Sequence, residues 1–223
     1  MAIAYGMYIP ASFAEEDVPT LHAFVEAHPL ATLVTAVGGA EGLFATHLPL
    51  LLDRSAGPFG HLIGHIARAN PHARQLAAGS NEALVIFTGP DAYITPAWYA
   101  TKAETGRVVP TWNYVAVHAY GRVTLHADPE FLRPHLEALT RQHEPGRGGT
   151  WEVNDAPHDY IAQQMRAIVG VEITIERLEG KWKMSQNRSG ADIDGVVKGL
   201  SVSASPGDRG VAELVAKRRP ANK

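Results

Sequence analysis

Three short stretches of this chain concentrate side chains that could bind or move charge. The first is His65-Ile66-Ala67-Arg68-Ala69-Asn70-Pro71. A strand pattern ends there, an arginine follows, and Asn-Pro opens a helix. Asn is a good N-cap and Pro is favoured at the first helical position. Free N–H groups and the positive end of the helix dipole would then converge beside Arg68, whose planar fork suits phosphate oxygens. The competing account is that Arg68 pairs with a surface carboxylate and Asn70 only caps the helix.

The second stretch, Val109-Pro110-Thr111-Trp112-Asn113-Tyr114, puts polar side chains on one face and aromatics on the other if it is extended. Asn113 could donate and accept at the edge of a heteroaromatic ring while Trp112 covers its apolar surface. The plainer account is a strand start with core aromatics. The third stretch, Lys183-Met184-Ser185-Gln186-Asn187-Arg188, has five hydrogen-bonding side chains in six residues. Lys183, Ser185 and Asn187 share one face, and Gln186 and Arg188 the other. That suits a multivalent polar ligand and equally a solvated loop. Thr46 and His47 lie mid-strand in an apolar segment, so one of them must face inward and find a ligand or, more simply, a backbone partner.

Other chemistries lack their residues. With no cysteine, disulfides, thiolate metal sites, iron–sulfur clusters and cysteine nucleophiles are excluded. His61 and His65 are two strand alternations apart, and no H-E-x-x-H is present, so no metal is expected. There is no G-x-G-x-x-G, P-loop or G-x-S-x-G elbow. No catalytic acid or base stands out; His47, His65 and His118 are candidates only because histidine titrates near neutrality.

The elements that must position these residues are mostly strands. Glu15 to Ala27 reads as a helix with Leu21, Phe24 and Val25 on one side. Leu30 to Val37, ending in a Gly38-Gly39 turn, and Gly42 to Leu52 read as paired strands, with Pro49 marking an exit from the ladder. Phe59 to Ala67 is a third strand and His72 to Ala78 a short helix. Leu84 to Thr88 and Ala92 to Thr95 read as strands separated by a turn at Gly89-Pro90-Asp91. Tyr114 to His126 alternates with Val115, Val117, Ala119, Val123 and Leu125 on one face. A helix from Asp128 to about His143 should be split by Pro134. After a loop over 144–149 and a helix from Pro157 to Met165, a strand runs through Val169, Val171, Ile173 and Ile175. Gly180 is read as a turn and Lys181 to Gln186 as the last strand. Ser189 to Leu200 and Asp208 to Arg218 read as helices. Seven to eight strands joined mostly by short turns favour antiparallel pairing and a closed or partly closed barrel with flanking helices.

The 223 residues are 45% hydrophobic and 19% charged, ordinary for a globular chain able to bury a sizeable core. No stretch reaches the ~18 apolar residues that span a membrane, and Met1 to Pro10 lacks the pattern of a signal peptide. A cytoplasmic protein without membrane contact is expected. The formal net charge of −3 gives little support to nucleic acid as a partner. Lys217-Arg218-Arg219 and Lys223 form the only basic cluster and read as a solvated tail.

Taken in order, these stretches carry a resemblance. Met7-Tyr8-Ile9-Pro10, Thr46-His47-Leu48-Pro49, Gly64-His65-Ile66-Ala67-Arg68-Ala69-Asn70-Pro71, Tyr93-Ile94-Thr95-Pro96-Ala97-Trp98-Tyr99, Val109 to Tyr114 and Lys183 to Arg188 resemble the successive signatures of the PaiB-type FMN-binding negative transcriptional regulators. The match runs from Met7 to about Leu200. It implies a mainly β fold with flanking helices, an antiparallel, Greek-key-like FMN-binding split β-barrel, and a homodimer with flavin near the subunit interface. The expected organisation is one barrel domain over 1–200 with a helical insertion at about 128–166, then a helical extension and basic tail over 201–223. By the resemblance, Arg68, Asn70 and adjacent backbone hold phosphate. Lys183, Gln186 and Asn187 complete the phosphate and ribityl contacts, and Thr111, Trp112 and Asn113 border the ring. Thr46, His47, His65 and Ser185 complete the candidate cofactor-binding set. Ala73 stands where relatives tend to carry an aromatic, which removes a stacking contact from the helix start.

The resemblance implies an FMN-binding repressor of sporulation and degradative-enzyme genes. No basic helix-turn-helix supports direct DNA contact. The alternative is an FMN-dependent oxidoreductase akin to pyridoxamine-phosphate oxidases and flavin reductases, by analogy of fold. A third reading is a haem-binding or haem-degrading barrel with His65 or His118 as axial ligand.

Overall fold

A computed structural model describes residues 6–37, 42–79 and 81–220. Eight strands form one sheet: β1 (Ala14–Glu15), β2 (Leu30–Val37), β3 (Gly42–Pro49), β4 (Leu51–Asp53), β5 (His61–Ala67), β6 (Glu82–Ile94), β7 (Thr111–His126) and β8 (Ile168–Lys183). Their order is β3-β2-β6-β7-β8-β5-β4, with β1 on β8. The pairings of β2 with β3 and β6, of β5 with β4 and β8, and of β1 with β8 are all antiparallel. Among the described residues seven α-helices accompany them: α1 (Val18–Ala27), α2 (Pro71–Ala77), α3 (Thr101–Thr105), α4 (Pro129–His143), α5 (His158–Arg166), α6 (Gly190–Ser201) and α7 (Asp208–Lys217). Contacts divide the chain into two compact units. One comprises 1–21, 88–117 and 179–223, and the other 22–87 and 118–178. In the first, Phe13, Ile94, Val115, Met184, Leu200 and Val215 are buried; in the second, Leu33, Leu62, Phe87, Leu132, Val171 and Ile173 are buried.

The expected elements are present with instructive differences. α1 begins at Val18 rather than Glu15, because Ala14 and Glu15 pair with Lys181 and Gly180 as β1. The strand expected over 42–52 is interrupted at Leu50 and resumes as β4, consistent with an exit at Pro49. Gly89-Pro90-Asp91 is not a turn: β6 runs through it. The buried positions pass from Ala83, Val85 and Phe87 to Ala92 and Ile94, from odd to even numbers. A shift of phase inside a continuous strand is what an extra, bulged residue produces. β8 likewise runs through Gly180. That glycine serves close approach rather than a turn: a Cβ there would lie 2.2 Å from Leu21 Cδ2, 2.8 Å from the Trp182 ring and 3.0 Å from the Glu15 carbonyl. Pro134 does not split α4. It is exposed and six residues into the helix, so the carbonyl it deprives belongs to Glu130, in an exposed first turn that water can reach. The Gly38-Gly39 turn and Lys223 lie outside the described residues.

The basic segment at the end of α7 is docked rather than solvated. Arg218 lies 2.5 Å from the Glu15 carboxylate and 4.9 Å from the centre of the Trp182 ring. Arg219 pairs with Asp194. No helix among the described residues is long and apolar enough to cross a membrane.

Candidate functional site

In the first unit, Thr111, Trp112, Asn113, Lys183 and Ser185 come together. β7 starts at Thr111 and β8 ends at Lys183, so the two strand ends carry these groups. Lys183 Nζ donates to Thr111 Oγ and to the Trp112 carbonyl. Asn113 is fully buried, and its Nδ2 donates to Ser185 Oγ at 3.0 Å. Ser185 is the one described non-glycine residue with positive φ, at 64°. Left-handed backbone costs an L-residue roughly 1–2 kcal/mol, and such strain persists only where the surroundings over-determine it. Here the Asn113 hydrogen bond and the burial of Ser185 do so. Gln186 closes the turn on itself, with Oε1 accepting from Met184 N and Nε2 donating to the Trp182 carbonyl, both at 2.6 Å. Asn187 is exposed at the tip.

This turn is rich in positive charge. Lys181 is buried, 7% exposed, and donates from Nζ to the Tyr8 carbonyl at 2.8 Å, with the Tyr8 and Tyr114 rings 5.4 and 5.3 Å away. Arg188 lies 4.5 Å from the centre of the Tyr99 ring. The Lys183 pKa is lowered, first by burial and then by Lys181 and Arg188. Two neighbouring cations thus repel the ammonium, and its hydrogen-bond partners are a hydroxyl and a carbonyl. A dianion placed there would relieve that repulsion. Trp112 and Tyr93, both about half exposed, meet edge to face with centroids 5.8 Å apart. Apolar ring surface therefore flanks the cations, and the donor set fits a phosphorylated aromatic ligand.

The second unit holds the remaining candidates, in separate small networks. Thr46 faces inward and His47 outward. Thr46 Oγ lies 2.8 Å from His72 Nδ1 and accepts from Asn70 Nδ2 at 3.2 Å. His72, fully buried against Phe44, has its Nε2 2.8 Å from Thr35 Oγ. Burial lowers its pKa, so a neutral imidazole bridges two threonines. The partner of Thr46 is thus a side chain, not the backbone expected from the sequence. His47 Nδ1 meets Thr32 Oγ at 2.9 Å. Asn70 caps α2 through the His72 N–H at 3.0 Å. Arg68 Nε and Nη2 donate to the carbonyls of Arg166 and Ile168, each at 3.0 Å. Two of the Arg68 donors and the Asn70 cap are therefore engaged within the chain rather than converging on one anion, and α2 has only seven residues.

The histidines go to different partners. His65 Nδ1 lies 2.9 Å from His135 Nε2, while His135 Nδ1 is buried without a partner. Burial, with His65 alongside, pushes the His135 pKa down to about 4, and burial lowers that of His65. His61 and His126 flank Glu172 at 2.9 and 2.6 Å. Burial acts to raise its pKa, but the hydrogen bonds and charge attraction of the two histidines together hold its carboxyl below the usual range. Among the described residues no group of three His, Cys, Asp or Glu side chains is placed to hold a metal.

Sequence reasoning passed over Lys181, Tyr99, His72 and His135. Lys181 carried a signal: it shares a strand face with Lys183, two residues on. His72 and His135 sit in helical patterns, where a histidine announces nothing about its partner.

Known proteins place this geometry in context. A family model described as "Putative FMN-binding domain" matches residues 7–177. An uncharacterized protein of Aspergillus fumigatus is 36% identical over 95% of this chain and 97% of its own length. The "Protease synthase and sporulation protein PAI 2" of Bacillus subtilis is 32% identical over 94% of this chain and 96% of its own. Among solved structures, the conserved hypothetical protein Rv2991 of Mycobacterium tuberculosis superposes with a TM-score of 0.57 at 14% identity, covering 82% of this chain and 94% of its own. The flavocytochrome Anf3 of Azotobacter vinelandii gives 0.56 at 20% identity, covering 80% and 70%. At these identities the structures speak for the fold, an antiparallel split barrel with flanking helices.

Proposed function

The chain belongs to the PaiB-type FMN-binding family, with FMN as cofactor, and from that premise we infer that it holds the FMN phosphate at the turn from Lys183 to Arg188. The observation that carries this reading is the turn itself. A lysine whose pKa is lowered by burial and then by two neighbouring cations stands beside a serine in left-handed backbone and a half-exposed tryptophan. Lys183 and Arg188 supply charge to phosphate oxygens, Ser185 and Asn187 supply polar contacts, and Trp112 covers apolar ring surface. Bound FMN supplies one- and two-electron redox chemistry; the chain's part is to bind, orient and shield it. The Thr46–Asn70–His72 network in the second unit offers hydroxyl and amide groups without a cation, which suits a secondary contact better than a phosphate site.

The biological role follows as a flavin-bound regulator that acts without gripping DNA itself. Supporting this are the relative's name, which refers to protease synthesis and sporulation, the net charge of −3, and the pairing of Arg218 and Arg219 with Glu15 and Asp194. A homodimer and a cytoplasmic location accompany the family reading. Flavin absorbance and FMN titration of the purified chain test the cofactor and its site. FMN binding weakened at least about tenfold by Lys183→Ala, with an unchanged circular dichroism spectrum, is expected for loss of a charge-assisted phosphate contact. Equal affinity in the variant removes this turn from the site. Gel-shift assays across a range of salt test the regulatory half, where sequence-specific retention at physiological salt would overturn action without DNA contact.

A further inference from the structure

The insertion carrying α4 and α5 does more than flank the sheet. Between these helices and the end of β5 lies a cleft of about 470 Å³, within the range of small-molecule sites. Its walls include Pro129 and Leu132 of α4 and Ala162 and Met165 of α5, with Arg68 and Arg166 beside them. Among the described residues no carboxylate lines it. We propose that this cleft binds a small amphipathic anion, a carboxylate on an apolar body, at a site separate from the flavin.

Two features support that occupant. The first is the fixed orientation of Arg68. Its main-chain N–H donates to the Ala167 carbonyl at 2.8 Å, and its Nε and Nη2 to the carbonyls of Arg166 and Ile168. The first bond fixes the Arg68 backbone, and the other two hold the guanidinium plane at the junction between α5 and β8. Neutral carbonyls leave its positive charge uncompensated, and Nη1 still has hydrogens to give. A cation whose geometry is already fixed loses little entropy when it takes up an anion. The second feature is the composition of the walls. A phosphate alone would gain nothing from Leu132, Pro129 and Met165, and a neutral apolar ligand would gain nothing from two guanidinium groups. An amphipathic anion satisfies both: its head meets the Arg68 and Arg166 end and its body covers the apolar wall. On our reading of the cofactor site, the FMN phosphate lies instead at Lys183 and Arg188, in the other unit.

Calorimetric titration of the full-length chain with decanoate below its micelle concentration tests the proposal, with decanol as the neutral control. The expected result is saturable one-to-one binding of decanoate and at least about tenfold weaker binding of decanol. Arg166→Gln should weaken decanoate binding about tenfold, and Ala162→Trp, which fills the cleft, should abolish it in a chain that keeps its circular dichroism spectrum. Arg68→Gln also removes the clamp on the α5–β8 junction, so Arg166→Gln and Ala162→Trp carry the decision. Saturating FMN should leave the decanoate isotherm unchanged. The proposal is overturned if decanol matches decanoate, if both variants bind like the parent, or if FMN competes with decanoate. FMN binding is read separately, so its absence would sink the cofactor assignment without touching this outcome.

Discussion

At the scale of single residues, several side chains fold in an unfavourable state. Ser185 in left-handed backbone is one. Ser185→Gly removes the steric cost but also the Asn113 hydrogen bond, so the two effects nearly offset. Ser185→Ala keeps the cost and loses the bond. Chemical denaturation should therefore find Ser185→Ala less stable than Ser185→Gly by about 1–2 kcal/mol, and equal stability would contradict the strain. The buried histidines give a second prediction. His65, His72 and His135 all have folded-state pKa values below the ordinary 6.5, that of His135 at about 4. The unfolded chain takes up these protons first as the pH falls. Their stabilisation is thus present above about 6.5 and is lost as pH drops toward the folded values, with His135 alone giving up to about 3 kcal/mol. Denaturant midpoints should fall from pH 7 to pH 5, and His135→Leu should flatten the slope. A midpoint that rises over that interval would contradict neutral burial. These states were only partly legible in the sequence. The charge of Lys183 and Arg188 is written in their identities, whereas the burial of Lys181 and the pairing of His65 with His135 depend on neighbours far along the chain.

At the scale of elements, periodicity located most strands and helices but misread what interrupts them. Glycine and proline usually punctuate, so Gly89-Pro90 and Gly180 were expected to be turns. The structure uses Gly89-Pro90 inside β6, where the burial phase changes, and uses Gly180 to let Leu21 and Glu15 approach β8. Sequence alone cannot separate a glycine that turns the chain from one that admits a neighbour, because the neighbour is distant in sequence. Pro134 shows the same limit: its cost depends on whether water reaches the Glu130 carbonyl. The distinction is measurable at Gly180. Gly180→Ala should destabilise by about 1–3 kcal/mol, as overpacking does. Gly207→Ala, where φ is negative and no atom lies within 4 Å of the added Cβ, should be neutral or slightly stabilising. Equal effects at the two sites would argue against close packing at Gly180.

At the scale of the whole molecule, the antiparallel architecture followed from strand patterns and the family from six ordered motifs. The division of the candidate residues between two units was not legible. Thr111, Trp112, Asn113, Lys183 and Ser185 meet in one. Thr46, Asn70 and His72 meet in the other, where Arg68 is occupied with main-chain carbonyls. The docking of Arg218 and Arg219 likewise could not be foreseen, since Glu15 and Asp194 lie far from them in sequence. We infer that a cation-rich turn holds the phosphate of FMN. Comparing FMN with riboflavin, which has the same ring and ribityl chain but no phosphate, tests it most directly. Equilibrium titration should show FMN binding at least about tenfold tighter than riboflavin in the parent chain, with that preference lost in Lys183→Ala. Equal affinity for the two flavins in the parent, or a preference that survives the substitution, would contradict the account.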